Sequence, residues 1–394
     1  MYRTLDDIDV KGQRVLLRVD LNVPMAGSMV SDSTRLTKAA PTILELMKRG
    51  ARVIILSHFG RPNGVVKESM SLKPISDVLG SIIGRQVSFS SSSIGSAAET
   101  AVNSLASGEV LVLENLRFHA EEENNDPDFA RTLAQLGDIY VNDAFSVSHR
   151  SHASTEQLAH LLPSAVGRQL DLELSTLSIA LEKPKRPVMA VVGGAKVSTK
   201  LDVLLNLIEK VDSLVIGGAM ANTFLFAKGF EIGASLHEPN LLSTAQNIME
   251  KADRIKCNIM LPTDVVTSSK LELGAKSKVY KVESVPHKKM ILDLGPETVF
   301  NIKKSLFECK TILWNGPLGA FEIPPFDEGT VTLAKEVGKL TIDGQLVSVA
   351  GGGDTIAALN KAKVLNAFSH VSTGGGAFLE WLEGKSLPGI SALS

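Results

Sequence analysis

The stretch VLLRVDLNVP, Val15–Pro24, decides the fold, because it puts polar chemistry where a buried strand ends. Val15, Leu16 and Leu17 form the short apolar run expected of a parallel strand covered on both faces. The chain then delivers Asp20 and Asn22 and stops at Pro24, which cannot continue a central ladder. In open α/β sheets, ligands bind just beyond the carboxyl ends of strands. The heptapeptide Arg18–Pro24 is equally compatible with a plain Asx-turn, in which Asp20 and Asn22 bond only nearby backbone. The rest of the chain separates the two readings.

Short apolar runs alternate with helical patterns from end to end. In the first half the runs are Val15–Val19, Arg52–Leu56, Glu109–Leu113 and Asp138–Val141. In the second half they are Val188–Val192, Ser213–Ile216, Asn258–Leu261, Thr311–Trp314 and Gln345–Val349. Helices are expected between them, for example over 34–49, 128–136, 199–210, 240–255, 327–339 and 354–363. This alternation predicts parallel sheets with helices on both faces. Between the halves, Leu170, Leu174, Leu177 and Leu181 recur at helical spacing until Pro184 and Pro187 end the pattern. Two α/β domains joined by a helix would leave a cleft, a favoured place for ligands. The serine-rich SFSSSSIGSAAE, Ser88–Glu99, reads as a solvated loop.

A chain of 394 residues is too long for a single core. Hydrophobic content of 44% and charged content of 21% fit a soluble globular protein. A net charge of −2 provides no global field for nucleic acid, so any anion binding must be local. Cys257 and Cys309 are too few for a disulfide framework and sit in no metal-spaced motif. A reducing, cytoplasmic setting is the default. The N-terminal MYRTLDDIDVKGQR lacks the apolar core of a secretory signal, and runs such as VMAVV are far shorter than a membrane span.

Arginines cluster in the first half, just after strands. Arg35 opens a helix after Asp32 and Thr34; SHFGRP places Ser57, His58 and Arg61 after Leu56. ENLRFH places Arg117 after Leu113, and Arg150 stands between His149 and His152. A lone arginine is usually a solvated charge or an ordinary ion pair. Four of them beyond strand ends of one parallel sheet converge on one rim, where guanidinium forks match phosphate and carboxylate oxygens. We expect a pocket for a small multi-anionic substrate. His149 and His152 have the spacing of a metal pair, but nothing clusters with them to complete a zinc site.

Glycine replaces arginine in the second half. VVGGAKVSTK runs from a strand through Gly193-Gly194 into an expected helix carrying Lys196 and Lys200. The strand-to-glycine turn recurs at Gly217-Gly218, at Gly351–Gly353 with Asp354, and at Gly374–Gly376. Glycine lets backbone approach a ligand closely, and helix N-termini favour anions. One such turn is commonly tight packing; four, with a lysine and an aspartate, favour a nucleotide polyphosphate with Mg²⁺. The chain has neither G-x-x-x-x-G-K-[ST] nor G-x-G-x-x-G after a strand, which leaves an NAD-linked oxidoreductase poorly supported. A non-catalytic binding protein is the other rival.

Taken in order, RVDLNVP, SHFGRP, ENLRFH, HRSH, GGAKVSTK, GGAMANTF, LDLGPET, WNGPLGAFE, GGGDT and STGGGAFLEWLEGK closely resemble the phosphoglycerate kinase family over essentially the whole chain. The resemblance implies two Rossmann-like α/β/α domains joined by a linker helix, with an interdomain cleft. It places an N-terminal triose domain over 1–165, the linker over 166–186 and a nucleotide domain over 187–376. The tail 377–394 would pack back on the first domain. The implied reaction is reversible phosphoryl transfer between 1,3-bisphosphoglycerate with ADP and 3-phosphoglycerate with ATP, in a cytoplasmic monomer without nucleic-acid or membrane partners. The triose site maps onto Asp20, Asn22, Arg35, His58, Arg61, Arg117 and Arg150. The nucleotide site maps onto Lys196, Lys200, Gly217, Gly218, Asn315, Pro317, Glu322, Gly352, Gly353, Asp354 and Thr355, with Asp354 acting through nucleotide-bound Mg²⁺. Many relatives carry Phe-Gly where this chain has Phe145-Ser146, and often Cys where Leu294 stands.

The acceptor carboxylate of such a substrate is already ionised at neutral pH, so no general base is required. Transfer then depends on in-line positioning and charge neutralisation. Those roles fall to Arg35, Lys200 and the N–H groups of Gly374 and Gly375.

Overall fold

The computed structural model describes residues 2–27 and 29–394. They divide into two compact units, Met1–Leu174 with Ser386–Ser394, and Ser175–Lys385.

In the first unit the strands are β1 (Arg14–Arg18), β2 (Met25–Ala26), β3 (Met29–Val30), β4 (Arg52–Leu56), β5 (Val87–Ser90), β6 (Val110–Leu113), β7 (Ile139–Asn142) and β8 (Ser164–Val166). Six of them form one sheet in the order β5-β6-β4-β1-β7-β8, with every pairing parallel. β1 lies between β4 and β7, and Val15, Leu16 and Leu17 are all fully buried. Cover on both faces is the reason this strand is a continuous apolar run and not an alternation. Asp32 starts the helix Thr34–Lys48 by accepting from the Thr34 amide at 2.8 Å and its hydroxyl at 2.6 Å. The chain moves from β1 to β4 on one side and later returns to β7 on the other. Such a reversal opens a crevice beyond the carboxyl ends of the two strands.

The second unit repeats the plan. Its strands are β9 (Val188–Val192), β10 (Ser213–Ile216), β11 (Asn258–Met260), β12 (Asp264–Ser268), β13 (Lys278–Lys281), β14 (Met290–Leu294), β15 (Thr311–Asn315), β16 (Val347–Gly351) and β17 (His370–Ser372). Six form a parallel sheet in the order β11-β10-β9-β15-β16-β17, which reverses between β9 and β15. Both units are thus parallel-sheet α/β folds, as the alternation predicts.

Three local expectations need correction. The serine-rich segment is not simply a loop: Val87–Ser90 is the edge strand β5 and Gly95–Asn103 is a helix. An edge strand needs fewer apolar residues, and serines close their own turn, with Ser90 Oγ donating to the Ser92 carbonyl at 2.8 Å. Second, β13-β12-β14 form an antiparallel sheet for which the sequence offers no long apolar run. Third, the helix after Gly193-Gly194 is Leu201–Ile208, so Lys200 is its N-cap residue and Lys196 lies on the preceding loop.

A helix runs over Arg168–Leu181, and the two units divide within it, between Leu174 and Ser175. The helix Gly376–Leu382 belongs to the second unit, where Asn206 Nδ2 donates to the Leu382 carbonyl at 2.7 Å. From Ser386 the chain groups with the first unit, and Asn142 Nδ2 donates to the Gly389 carbonyl at 3.0 Å. Among the described residues, no helix is long and apolar enough to cross a membrane.

Candidate functional site

At the reversal of the first sheet, loops leaving β1, β4, β6 and β7 are joined by polar side chains. Asp20 accepts from the Asn22 amide at 2.9 Å, which is the Asx-turn geometry, and it also meets Arg35 Nη1 at 2.9 Å. Arg35 Nη1 donates to the Asn22 carbonyl at 2.7 Å. Asn22 Oδ1 accepts from the Gly60 amide at 3.0 Å, and Arg117 Nη1 donates to the Gly60 carbonyl at 2.9 Å. Ser146, beyond β7, donates its hydroxyl to Asp20 and so ties the two strands of the crevice together. The Asx-turn of the opening heptapeptide is thus present, and the same residues line the crevice beyond β1.

The structure brings Asp20, Asn22, Arg35 and Arg117 into one bonded network. His58 is buried and joins through Arg18, whose Nη2 lies 3.1 Å from His58 Nδ1. Arg150 Nε donates to His149 Nε2 at 3.2 Å. Arg61 is exposed, with its guanidinium unpaired among the described residues.

Electrostatics follow from burial and crowding. Burial, then Arg18, Arg117, His152 and Arg35, hold the His58 imidazole well below its usual range. His152 is pushed down to about 3, first by burial and then by Arg117, Arg18 and Arg150. His152 Nδ1 lies 3.9 Å from Glu122, but an imidazole so depressed is neutral at physiological pH, and the contact is no ion pair. Burial lowers Arg117 to about 10, against the pull of Glu123, and leaves it cationic at neutral pH. The rim therefore presents charged guanidiniums among neutral imidazoles, a surface suited to anions.

Sequence reasoning missed four members. Arg18 and Glu122 are fully buried, Ser154 bridges them, and Ser146 holds Asp20. The available signal was an arginine directly following the apolar run Val15–Leu17 inside a strand.

In the second unit the equivalent crevice lies between β9 and β15. Lys200 Nζ donates to the Gly193 carbonyl at 2.6 Å, the Asn315 carbonyl at 3.0 Å and Asn315 Oδ1 at 2.7 Å. Burial lowers the Lys200 amine to about 8, while Asp354 acts to raise it. Asn315 Nδ2 donates to the Gly351 carbonyl at 2.8 Å, and Thr355 Oγ1 accepts from the Gly316 amide at 2.7 Å. Gly218 has φ +65°, and a Cβ there would meet the Gly194 carbonyl oxygen at 2.6 Å. Only glycine permits that approach.

Beside these turns is a cavity of about 330 Å³ with predominantly apolar walls that include Leu236, Leu271, Met290 and Leu318. Of the expected residues, Gly218, Pro317, Glu322 and Asp354 line it. Lys200, Asn315 and Thr355 belong to the bonded turns; Gly217 and Gly352 lie in those turns, with Gly353 the first residue of its helix. Lys196 is exposed on its loop. Gly374 and Gly375 do not line the cavity; Gly374 donates its amide to Ser372 Oγ at 3.1 Å.

Residues 5–385 match the family model described as phosphoglycerate kinase. The chain is 56% identical over 393 residues to the phosphoglycerate kinase of Chelativorans sp. (strain BNC1), covering 100% of this chain and 99% of that protein. Among solved structures it is similar to phosphoglycerate kinase from Coxiella burnetii, with TM-score 0.93, 40% identity and coverage of 100% and 99%. The enzyme from Pyrococcus horikoshii OT3 is also similar, with TM-score 0.82, 31% identity and coverage of 100% and 98%.

Proposed function

We infer that this chain, which belongs to the phosphoglycerate kinase family, transfers a phosphoryl group reversibly between 1,3-bisphosphoglycerate with ADP and 3-phosphoglycerate with ATP, as a glycolytic phosphotransferase with a carboxyl acceptor. The observation that carries the site assignment is the guanidinium network at the β1/β7 crevice, with neutral imidazoles beside it. A three-carbon substrate with an anionic group at each end fits that chemistry. Asp20 and Asn22 would orient it, and Arg35, His58, Arg61, Arg117 and Arg150 would bind its anionic ends.

The apolar cavity of the second unit suits a purine, with the phosphates directed at the glycine turns and Lys200. Gly217, Gly218, Asn315, Pro317, Glu322 and Gly352–Thr355 complete that proposed site, with Lys196 reaching in from its loop. Asp354 fits a nucleotide-bound Mg²⁺, because its exposed carboxylate makes no hydrogen bond or ion pair among the described residues and magnesium prefers oxygen ligands. Mg²⁺, when bound, supplies charge neutralisation on the phosphates. Arg35 and Lys200 hold the charge of the moving group, and the Gly375 amide adds a donor, since that of Gly374 is already engaged.

Triose and nucleotide residues lie in separate units, so we propose that turnover requires a closing motion that also expels water from the acyl phosphate. A monomer working in the cytoplasm fits the small net charge and the two unpaired, buried cysteines. The decisive test is ATP-dependent phosphorylation of 3-phosphoglycerate, followed as NADH oxidation by coupled glyceraldehyde-phosphate dehydrogenase. Turnover that vanishes without Mg²⁺ is expected; an absence of binding by either substrate would overturn the reading. For closure, small-angle scattering should show a smaller radius of gyration with both ligands than with neither, and an unchanged value would count against it.

A further inference from the structure

Arg18 is the largest charged side chain wholly inside the first unit, and it touches the proposed triose site only through His58. Each of its three nitrogens has a partner. Nε donates to Ser154 Oγ at 2.9 Å, Nη1 to the Val19 carbonyl at 2.6 Å, and Nη2 faces His58 Nδ1 at 3.1 Å. Ser154 has one hydroxyl proton, and it goes to Glu122 Oε1 at 2.6 Å, while the Ser154 amide donates to Glu122 Oε2 at 3.0 Å. Tyr140, also fully buried, anchors the segment by donating its hydroxyl to the Ser154 carbonyl at 2.8 Å. The direction of every proton in the chain Arg18–Ser154–Glu122 is therefore fixed.

The consequence falls on His58. A guanidinium has donors and no acceptor, so Nδ1 facing Nη2 must be the lone-pair nitrogen. The one remaining ring proton is then on Nε2, which makes no hydrogen bond among the described residues. We propose that Arg18, aligned by Ser154 and Glu122, is a positioning residue that fixes His58 as the neutral Nε2–H tautomer, an uncharged donor aimed at a substrate oxygen. The charged and titratable groups around that ring are Arg18, Arg117, Arg35 and His152, and all of them disfavour a second proton. His58 thus contributes direction where the arginines contribute charge. This inference rests on the proposed triose site for its consequence, but the tautomer itself belongs to the free protein.

The test is ¹⁵N–¹H correlation NMR of the ligand-free protein labelled in histidine, with His58 assigned by a His58→Gln variant. The expected spectrum has Nδ1 bare and Nε2 protonated from about pH 5.5 to about pH 8, the range over which a free imidazole would titrate. Arg18→Met combined with Glu122→Gln, which leaves no buried charge unpaired, should give a tautomer mixture that titrates within that range. The same variant should raise KM for 3-phosphoglycerate roughly tenfold, most at high pH, with kcat nearly unchanged. Ser154→Ala, which keeps both charges, should shift the tautomer ratio in the same direction by less. A protonated Nδ1 or an imidazolium in the unmodified protein would overturn the proposal even if turnover is normal. The expected tautomer with no turnover would leave the proposal standing and count against the reaction instead.

Discussion

Lys200 Nζ lies 2.7 Å from Asn315 Oδ1, across the point where the second sheet reverses direction. The amine is also bonded to the carbonyls of Gly193 and Asn315, so three oxygens hold a cation that burial pushes down to about 8. Its position is thereby held before any nucleotide arrives, and with all three donors occupied it would act on the moving group as a nearby positive charge or by exchanging one of these bonds for a phosphate oxygen.

Replacing that amine should therefore damage chemistry more than binding. Lys200→Met is expected to lower kcat roughly 100-fold or more, and Arg35→Ala to do likewise, in the coupled assay. A change confined to KM would show uniform binding instead. The lysine is charged below about 8 and neutral above it, so kcat/KM for the nucleotide should decline as pH rises through that value. The variant should lack this limb; a wild-type profile flat to about pH 9 would refute the assignment.

Ser146 makes a contact that the Phe-Gly of many relatives cannot. Its hydroxyl already takes one acceptor position on Asp20, so a substrate hydroxyl seeking the same carboxylate oxygen would compete with it. Ser146→Gly should lower KM for 3-phosphoglycerate by roughly two- to tenfold with kcat unchanged, the range of one net hydrogen bond. A higher KM would mean that Ser146 orients Asp20 productively.

The central strands β1, β4, β9, β10 and β15 were legible because parallel strands covered on both faces leave uninterrupted apolar runs. β5 was not, since an edge strand can be built from serines that satisfy one another. The carboxylate and arginines of the rim were legible as polar groups beyond strand ends. Arg18 was not: a charge inside a strand carries no sign of its partners, because Ser154 and Glu122 are more than a hundred residues away. Lys200 was identified but expected on a helix, and its N-cap position follows from the carbonyls it binds, which no local pattern encodes.

Core packing in the first unit can be tested separately from the second. Leu17 is fully buried in β1, whereas both tryptophans, Trp314 and Trp381, lie in the second unit. Leu17→Ala should destabilise its own unit by roughly 2–5 kcal/mol. In urea, far-ultraviolet circular dichroism should then show an early step that tryptophan fluorescence does not follow. Coincident early shifts of both signals would mean that the units unfold as one.

Asp293 offers a pH signature confined to the second unit. It is buried beside the cavity, accepts from the Leu294 and Gly329 amides at 2.8 Å each, and is pushed up to about 7, chiefly by burial. Between its ordinary value and about 7 the folded state holds a proton that the unfolded state has released. Stability from this group is therefore full in acid, falls as pH rises through about 7, and is level beyond. Asp293→Asn cannot titrate and should remove that fall. Urea unfolding followed by tryptophan fluorescence should show that the stability of wild type minus that of Asp293→Asn is more positive at about pH 5 than at about pH 8. A difference that is constant, or that becomes more positive with pH, would show that the carboxyl is ionised throughout and that its two amide donors outweigh the cost of burying its charge.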